Sequence, residues 1–115
     1  MIQQGDIYLV DFAKKYNSEF GKVRPAVILQ NNFLNRALSI SKFQSVLVAP
    51  LTTQDIQTEY KIKIDPRDNL KEKSFIVANW LCTLDIKRIQ VDKGIIAKLD
   101  ENELTVLKSK ICDLI

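Results

Sequence analysis

The chain has 115 residues, of which 46% are hydrophobic and 27% are charged. This length predicts one domain over residues 1–115, and the ordinary composition excludes disordered, collagen-like and low-complexity scaffolds. The absence of histidine excludes Ser-His-Asp triads and a histidine general base. Seventeen Lys and Arg against 14 Asp and Glu give a net charge of +3, which is compatible with a polyanionic partner.

Cysteine content and hydropathy bear on metal chemistry and cellular location. Cys82 and Cys112 lie 30 positions apart, whereas a metal site needs clustered ligands and a disulfide scaffold needs more thiols. We expect two free, reduced, partly buried thiols, no metal and no cofactor. The longest apolar stretch, 45–51, is far shorter than the ~20 residues of a membrane helix, and no secretory signal is visible. We therefore expect a cytoplasmic protein that does not bind a membrane.

The first two-thirds of the chain predicts short β-strands, because these stretches are rich in β-branched and aromatic residues or alternate in polarity. The predicted strands are 6–12, 24–30, 45–51, 59–64 and 74–78, and 81–84 is a candidate extension of the sheet. The third is apolar nearly throughout, which predicts burial on both faces. Polar residues predict a loop over 13–22, a short helical turn near Phe33 and Leu34, and a turn over 65–69.

The last stretch predicts a helix. Asp100, with Glu103 three residues later, has the spacing of a capping box at a helix N-terminus. Apolar residues then recur at helical spacing and predict one buried face, formed by Leu104, Leu107, Ile111 and Leu114. Short strands closed by one helix indicate an α+β fold that is mainly β: a small antiparallel barrel with the C-terminal helix packed on it.

Polar residues at the ends of two predicted strands form the candidate site. A hydroxyl, a carboxylate and two cations precede the second strand, and two hydroxyls and an amide follow the third. A rigid sheet can hold such groups in place, which is common at functional sites. The plainer interpretation is a surface salt bridge and hydroxyls that only end a strand, and the residues alone favour it. The candidates are Ser18, Glu19, Arg24, Thr52, Thr53 and Gln54.

Six short blocks nevertheless occur in a characteristic order across nearly the whole chain: Gly5–Phe12, Asn17–Pro25, Ala26–Asn32, Val48–Gln54, Ser74–Asp85 and Leu99–Leu104. In sequence and spacing they resemble the MazF/PemK family of bacterial toxins, the ribonuclease half of type II toxin–antitoxin pairs. The resemblance implies the SH3-like barrel of the CcdB/MazF/PemK type. It also implies a sequence-specific, metal-independent endoribonuclease that cleaves single-stranded RNA, often mRNA, and leaves 2′,3′-cyclic phosphate and 5′-hydroxyl ends.

The resemblance also assigns roles to the candidates. In similar proteins the arginine of the Arg-Pro pair and the first threonine after the third strand form the catalytic core, which corresponds to Arg24 and Thr52. The Arg24 guanidinium suits electrostatic stabilisation of a phosphorane, and the Thr52 hydroxyl suits a hydrogen bond to the phosphate or the 2′-OH. Glu19 is the best available general base. The candidate RNA contacts are Ser18, Thr53, Gln54, Asn79 and Trp80.

The chain departs from the family pattern at two places. Phe20 replaces a glutamine, and the family segment Gln-Ile-Arg-Thr reads Trp80-Leu-Cys-Thr83 here. Cys82 therefore cannot make the contacts of the family arginine. Trp80 is either a platform on which an RNA base stacks or an aromatic residue of an interface or core.

The resemblance further implies a symmetric homodimer and a cognate, MazE-like antitoxin whose acidic, disordered tail covers the basic groove. Two alternatives stay open. CcdB-type gyrase poisons share this barrel without cleaving RNA, but they use a tryptophan near the chain end, where this chain reads Cys112-Asp-Leu-Ile115. A decayed homologue would bind RNA or antitoxin without cleavage; the retained Arg24 and Thr52 argue against it, and the changes at Trp80 and Cys82 argue for it.

Overall fold

The computed structural model describes residues 1–12 and 23–115, so the candidates Ser18 and Glu19 and the departure at Phe20 lie outside the described residues. The strands are β1 Asp6–Asp11, β2 Val23–Ile28, β3 Ser45–Thr52, β4 Lys61–Ile64, β5 Ser74–Val77, β6 Cys82–Asp85 and β7 Ala97–Lys98. The helices are α1 Asn32–Ala37 and α2 Glu101–Cys112. All five predicted strands and the candidate extension over 81–84 are confirmed, with ends shifted by at most two residues; β7 was not predicted.

The sheet is antiparallel and branches at β3. Its strand order is β4-β5-β3-β2-β1-β7, and β6 also pairs with β3. The first half of β3 pairs with β6, with Val46 opposite Leu84, and its last residues pair with β5, with Leu51 opposite Ile76. This branching curls the sheet into a half-barrel, in agreement with the predicted small antiparallel barrel.

Both faces of the central strands are buried, as predicted for the third strand. Successive side chains point to opposite faces, so each strand contributes to two hydrophobic clusters. One cluster contains Val27, Leu51 and Ile76 together with Leu107 of α2, all at most 1% exposed. The other contains Val48 and its neighbours on the opposite face. Full burial of each such side chain contributes about 1.5–3 kcal/mol, so the two clusters fix the strand pairing.

The Gly5-Asp6 pair of the first block has a structural role. Gly5 adopts a positive φ of 91°, which glycine accepts without strain, and its N–H donates to the Ile28 carbonyl at 2.8 Å. The buried Asp6 carboxylate accepts a hydrogen bond from the Gln3 N–H at 2.9 Å and lies 3.7 Å from the Lys98 ammonium. These contacts tie the N-terminal turn to β2 and β7.

The helix α1 confirms the helical turn predicted near Phe33 and Leu34. The Asn31 side chain caps it by accepting a hydrogen bond from the Leu34 N–H at 2.9 Å. The buried Asn35 side chain donates to the Gln30 carbonyl at 3.0 Å. The segment around α1 nevertheless leaves large apolar side chains exposed, namely Phe33, Leu34, Ile40 and Phe43.

The helix α2 begins as predicted. Asp100 is the N-cap, and the complete capping box joins its carboxylate to the Glu103 N–H at 2.7 Å. Arg67, in the turn before β5, donates from Nη2 to Oε2 of Glu103 at 2.7 Å and so anchors the helix to the barrel. The predicted apolar face is confirmed, because Leu107 is fully buried and its companions are partly buried. Within the described residues no helix has the length and apolar character to cross a membrane.

The anchoring carboxylate predicts a pH dependence of stability. The Arg67 hydrogen bond lowers the pKa of Glu103, so the folded protein holds this carboxylate ionised more strongly than the unfolded chain does. We expect Glu103→Gln, which keeps a capping side chain, to lower the free energy of unfolding at pH 7 by about 1–2 kcal/mol more than Glu101→Gln does.

Urea denaturation of both variants and the parent chain over pH 3–7 checks this expectation. The ionised Glu103 carboxylate contributes its full stabilisation above about pH 4.3, the ordinary pKa of glutamate. This stabilisation decreases as the pH falls through the lowered pKa of the folded state. If Glu103→Gln lowered the free energy of unfolding by the same amount at pH 3 as at pH 7, the ion pair would not be the cause of the loss.

Candidate functional site

The pairing of β2 with β3 brings together the two residues that the resemblance singled out. The last paired residues are Ala26 and Pro50, and Arg24 and Thr52 each lie two residues beyond them at the same end of the two strands. Both residues line one open depression of about 290 Å³ at the end of the two strands. The other described residues of this depression are Val23, Pro25, Leu51, Thr53 and Ser74.

The Thr52 hydroxyl is held in a defined position. Thr52 is the last residue of β3, pairs with Phe75 of β5, and is 5% exposed. Its Oγ1 accepts a hydrogen bond from the Gln54 N–H at 3.2 Å. Since a hydroxyl both accepts and donates, its proton stays available for an acceptor in the depression.

Arg24 brings a positive charge to the described lining of the depression. It lies in β2, where pairing with Val10 of β1 fixes its backbone, and it is partly buried. A guanidinium stays ionised at any physiological pH, and its planar array of donors matches the oxygens of a phosphate. Arg24 and Thr52 together therefore suit a tetrahedral anion such as a phosphate diester.

Ser74 is a member of the site that the sequence reasoning missed. It opens β5, is 3% exposed, and its hydroxyl donates to the Glu72 carbonyl at 3.0 Å. The signal that selected Thr52, a hydroxyl at the end of a buried strand, also applies to Ser74. What the sequence could not show is that β5 starts beside the end of β3.

The remaining predicted RNA contacts lie in different places. Thr53 lines the depression, whereas Gln54 is exposed and contacts the site through its backbone N–H. Asn79 and Trp80 lie in the short 3₁₀ turn after β5, and Trp80 is 37% exposed. A strand rises about 3.3 Å per residue, so this turn begins roughly 13 Å from Ser74. Within one chain the described lining does not include Gln54, Asn79 or Trp80, and their RNA contacts stay predictions.

The two cysteines differ in their surroundings. Both are free; Cys82 is partly buried as predicted, but Cys112 at the end of α2 is exposed, so that prediction was wrong for Cys112. The apolar face of α2 points toward the barrel, and position 112 falls outside this face. Burial raises the pKa of the Cys82 thiol. No group of three or more metal-ligating side chains occurs in the parts of the chain that the structure describes.

Alkylation tests this difference. At pH 7.5 we expect iodoacetamide to modify Cys112 at least tenfold faster than Cys82, because exposure favours Cys112, whereas burial and a raised pKa keep Cys82 protonated and shielded. Peptide mass spectrometry over a time course measures both rates, and Cys112→Ser isolates the slower one. Faster modification of Cys82 would contradict its described surroundings.

The family of the chain follows from its sequence. Residues 3–115 match the sequence model of a family described as the PemK-like, MazF-like toxin of type II toxin–antitoxin systems. The match spans all but the first two residues. The chain belongs to this family, which confirms the resemblance drawn from the six blocks.

Solved structures of toxins share the fold. MazF of Deinococcus radiodurans has a TM-score of 0.76 at 16% identity, covering 98% of this chain and 94% of that one. The Mycobacterium tuberculosis toxin MazF-mt6 has a TM-score of 0.73 at 18% identity, covering 94% of this chain and 93% of that one. An endoribonuclease from a mycobacterial species, in complex with its cognate antitoxin, has a TM-score of 0.73 at 17% identity. The match covers 98% of this chain and 93% of that one. These likenesses confirm the predicted antiparallel barrel with a C-terminal helix.

Proposed function

We propose that this chain is a sequence-specific endoribonuclease toxin that cleaves single-stranded RNA, mRNA included, without a metal ion. The observation that carries the proposal is the convergence of Arg24 and Thr52 on one open depression. Membership of the toxin family supports it. A guanidinium and a hydroxyl donor at one point suit a reaction in which negative charge grows on a phosphate.

The proposed reaction is a transfer within the RNA. The ribose 2′-oxygen attacks the adjacent phosphorus, an O2′–P bond forms, and the P–O5′ bond breaks. The 2′-OH proton passes to a general base, for which we propose Glu19, and the leaving 5′-oxygen takes up a proton from solvent, to which the base later releases its own. The products are a 2′,3′-cyclic phosphate and a 5′-hydroxyl, so no water is consumed.

Arg24 and Thr52 have separate tasks in this step. The pentacovalent phosphorane carries more charge on its equatorial oxygens than the diester, and we propose that Arg24 binds these oxygens more strongly as the charge grows. The Thr52 hydroxyl donates a further hydrogen bond, and its contact with the Gln54 N–H keeps it in place. Ser18, Thr53, Gln54, Asn79 and Trp80 are proposed as contacts that position the strand.

We also propose that the protein is a homodimer and that a cognate, MazE-like antitoxin with an acidic segment inhibits it. Among the structural neighbours, the mycobacterial endoribonuclease and a Deinococcus radiodurans MazF were solved with an antitoxin. Exposed apolar side chains around α1, including Phe33, Ile40 and Phe43, are a feature of surfaces that contact other proteins. The net charge of +3 is compatible with an acidic partner.

Cleavage of a mixed-sequence RNA in EDTA tests the proposal. We expect cleavage at a short sequence with 5′-hydroxyl ends, and no cleavage when the ribose on the 5′ side of the cut is 2′-deoxy. Arg24→Ala removes the guanidinium and Thr52→Val removes the hydroxyl donor, and each should lower kcat/KM by about 10²–10³-fold. Mapping of 5′-hydroxyl ends locates the cuts.

The matched controls are Arg36→Ala and Thr83→Val, which change exposed residues of the same types away from the depression. Both should cleave like the parent chain. A parent chain that leaves RNA intact but inhibits gyrase would overturn the proposal in favour of a gyrase poison. Unchanged cleavage by Arg24→Ala and Thr52→Val would remove these residues from the mechanism.

A further inference from the structure

A second cavity adjoins the depression that holds Arg24 and Thr52. Its volume is about 530 Å³, and Pro25, Thr53 and Ser74 line both spaces. The two cavities are therefore neighbours, separated by no more than these shared residues. The second cavity falls in the range of about 300–1,000 Å³ that is typical of ligand sites.

Two lysines from separate segments converge on this cavity. Lys71 lies in the turn before β5, and Lys93 lies in the 3₁₀ turn before β7. In the described ranges neither ammonium forms a salt bridge, and the Lys71 ammonium has only a long contact of 3.4 Å with the Asp68 carbonyl. Both lysines are exposed, so an anion entering from solvent can reach them without displacing a carboxylate.

The wall of the cavity is apolar and rigid. Ile95 and Ile96 are partly buried there, and the Ile96 N–H donates to the Ile7 carbonyl of β1 at 2.8 Å. The Asn69 N–H donates to the Ile96 carbonyl at 2.9 Å, which ties the turn before β5 to this wall. Asn69 also lines the cavity, and its side-chain amide has both a donor and an acceptor.

We propose that this cavity is a nucleotide subsite, which binds the nucleotide next to the scissile phosphate. The base lies against Ile95 and Ile96, the Asn69 amide contacts its edge, and Lys71 and Lys93 bind its phosphate. This inference rests on the proposed function. Glu72 also lines the cavity, and its carboxylate repels the same phosphate.

Binding of a non-cleavable RNA tests the subsite. The probe is a fluorescein-labelled oligonucleotide built around the mapped cut site, with 2′-deoxyribose at the attacking position. Anisotropy titrations at several salt concentrations compare Lys71→Gln, Lys93→Gln and Glu72→Gln with the control Lys108→Gln, an exposed lysine of α2.

Each lysine variant should raise Kd about three- to tenfold and reduce the slope of log K against log salt by about 0.7, the value for one phosphate contact on a single strand. Glu72→Gln should lower Kd, and Lys108→Gln should leave it unchanged. Circular dichroism and thermal midpoints establish that the variants fold.

Truncated probes separate a subsite from long-range charge. Removing the nucleotides on one side of the cut should weaken binding by the parent chain. The same truncation should abolish the difference in Kd between the parent chain and the lysine variants. Truncation on the other side should preserve that difference. A lysine effect that persists with both truncations, or lysine variants that bind like Lys108→Gln, would overturn the subsite while the parent chain still cleaves RNA. A parent chain that neither binds nor cleaves RNA would instead contradict the proposed function.

Discussion

The antiparallel pairing of β2 with β3 is the constraint on which the site depends. Val27 lies opposite Ala49 and Ile28 opposite Val48, and all four side chains are 0% exposed. A slip of one residue would turn every side chain of one strand to the opposite face. Both faces are packed, so a slip would exchange the side chains of the two clusters and leave cavities or overpacked contacts, which typically cost about 1–3 kcal/mol each. The core thereby fixes the relative position of Arg24 and Thr52, which lie three residues beyond the pair of Val27 with Ala49.

The other elements hold this pair of strands in place and open one end of it. β1 and β5 flank β2 and β3, so that both functional residues lie within a sheet rather than on its edge. The helix α2 covers one hydrophobic cluster through Leu107, and the ion pair between Arg67 and Glu103 anchors its first turn. The turn that contains Arg67 leads into Lys71 and Ser74, so the same contact positions one wall of the second cavity.

Local patterns predicted most of the fold. The alternation in β4, the apolar run of β3 and the capping box at Asp100 are signals carried by neighbouring residues, and each is confirmed. β7 was missed because it has two residues and exists only through its pairing with β1. The exposure of Cys112 depends on which face of α2 meets the barrel. The spacing of the apolar residues in α2 indicated that face, but the prediction of a partly buried Cys112 did not take it into account.

The site was predictable only in part. The residues alone favoured a surface salt bridge over a site, and the family resemblance selected Arg24 and Thr52. Their shared depression depends on register, and the participation of Ser74, Lys71 and Lys93 depends on contacts between segments distant in sequence. No periodicity or motif in the chain reports those contacts.

A double-mutant cycle in RNA cleavage tests most directly whether Arg24 and Thr52 act on one phosphate. We would measure kcat/KM for the parent chain, Arg24→Ala, Thr52→Ala and the double variant on one oligonucleotide in EDTA. Residues that act as a unit have strongly non-additive effects. We expect the double variant to be hardly less active than the worse single variant. A loss equal to the product of the two single losses would show that the two residues act independently, contrary to a shared catalytic centre.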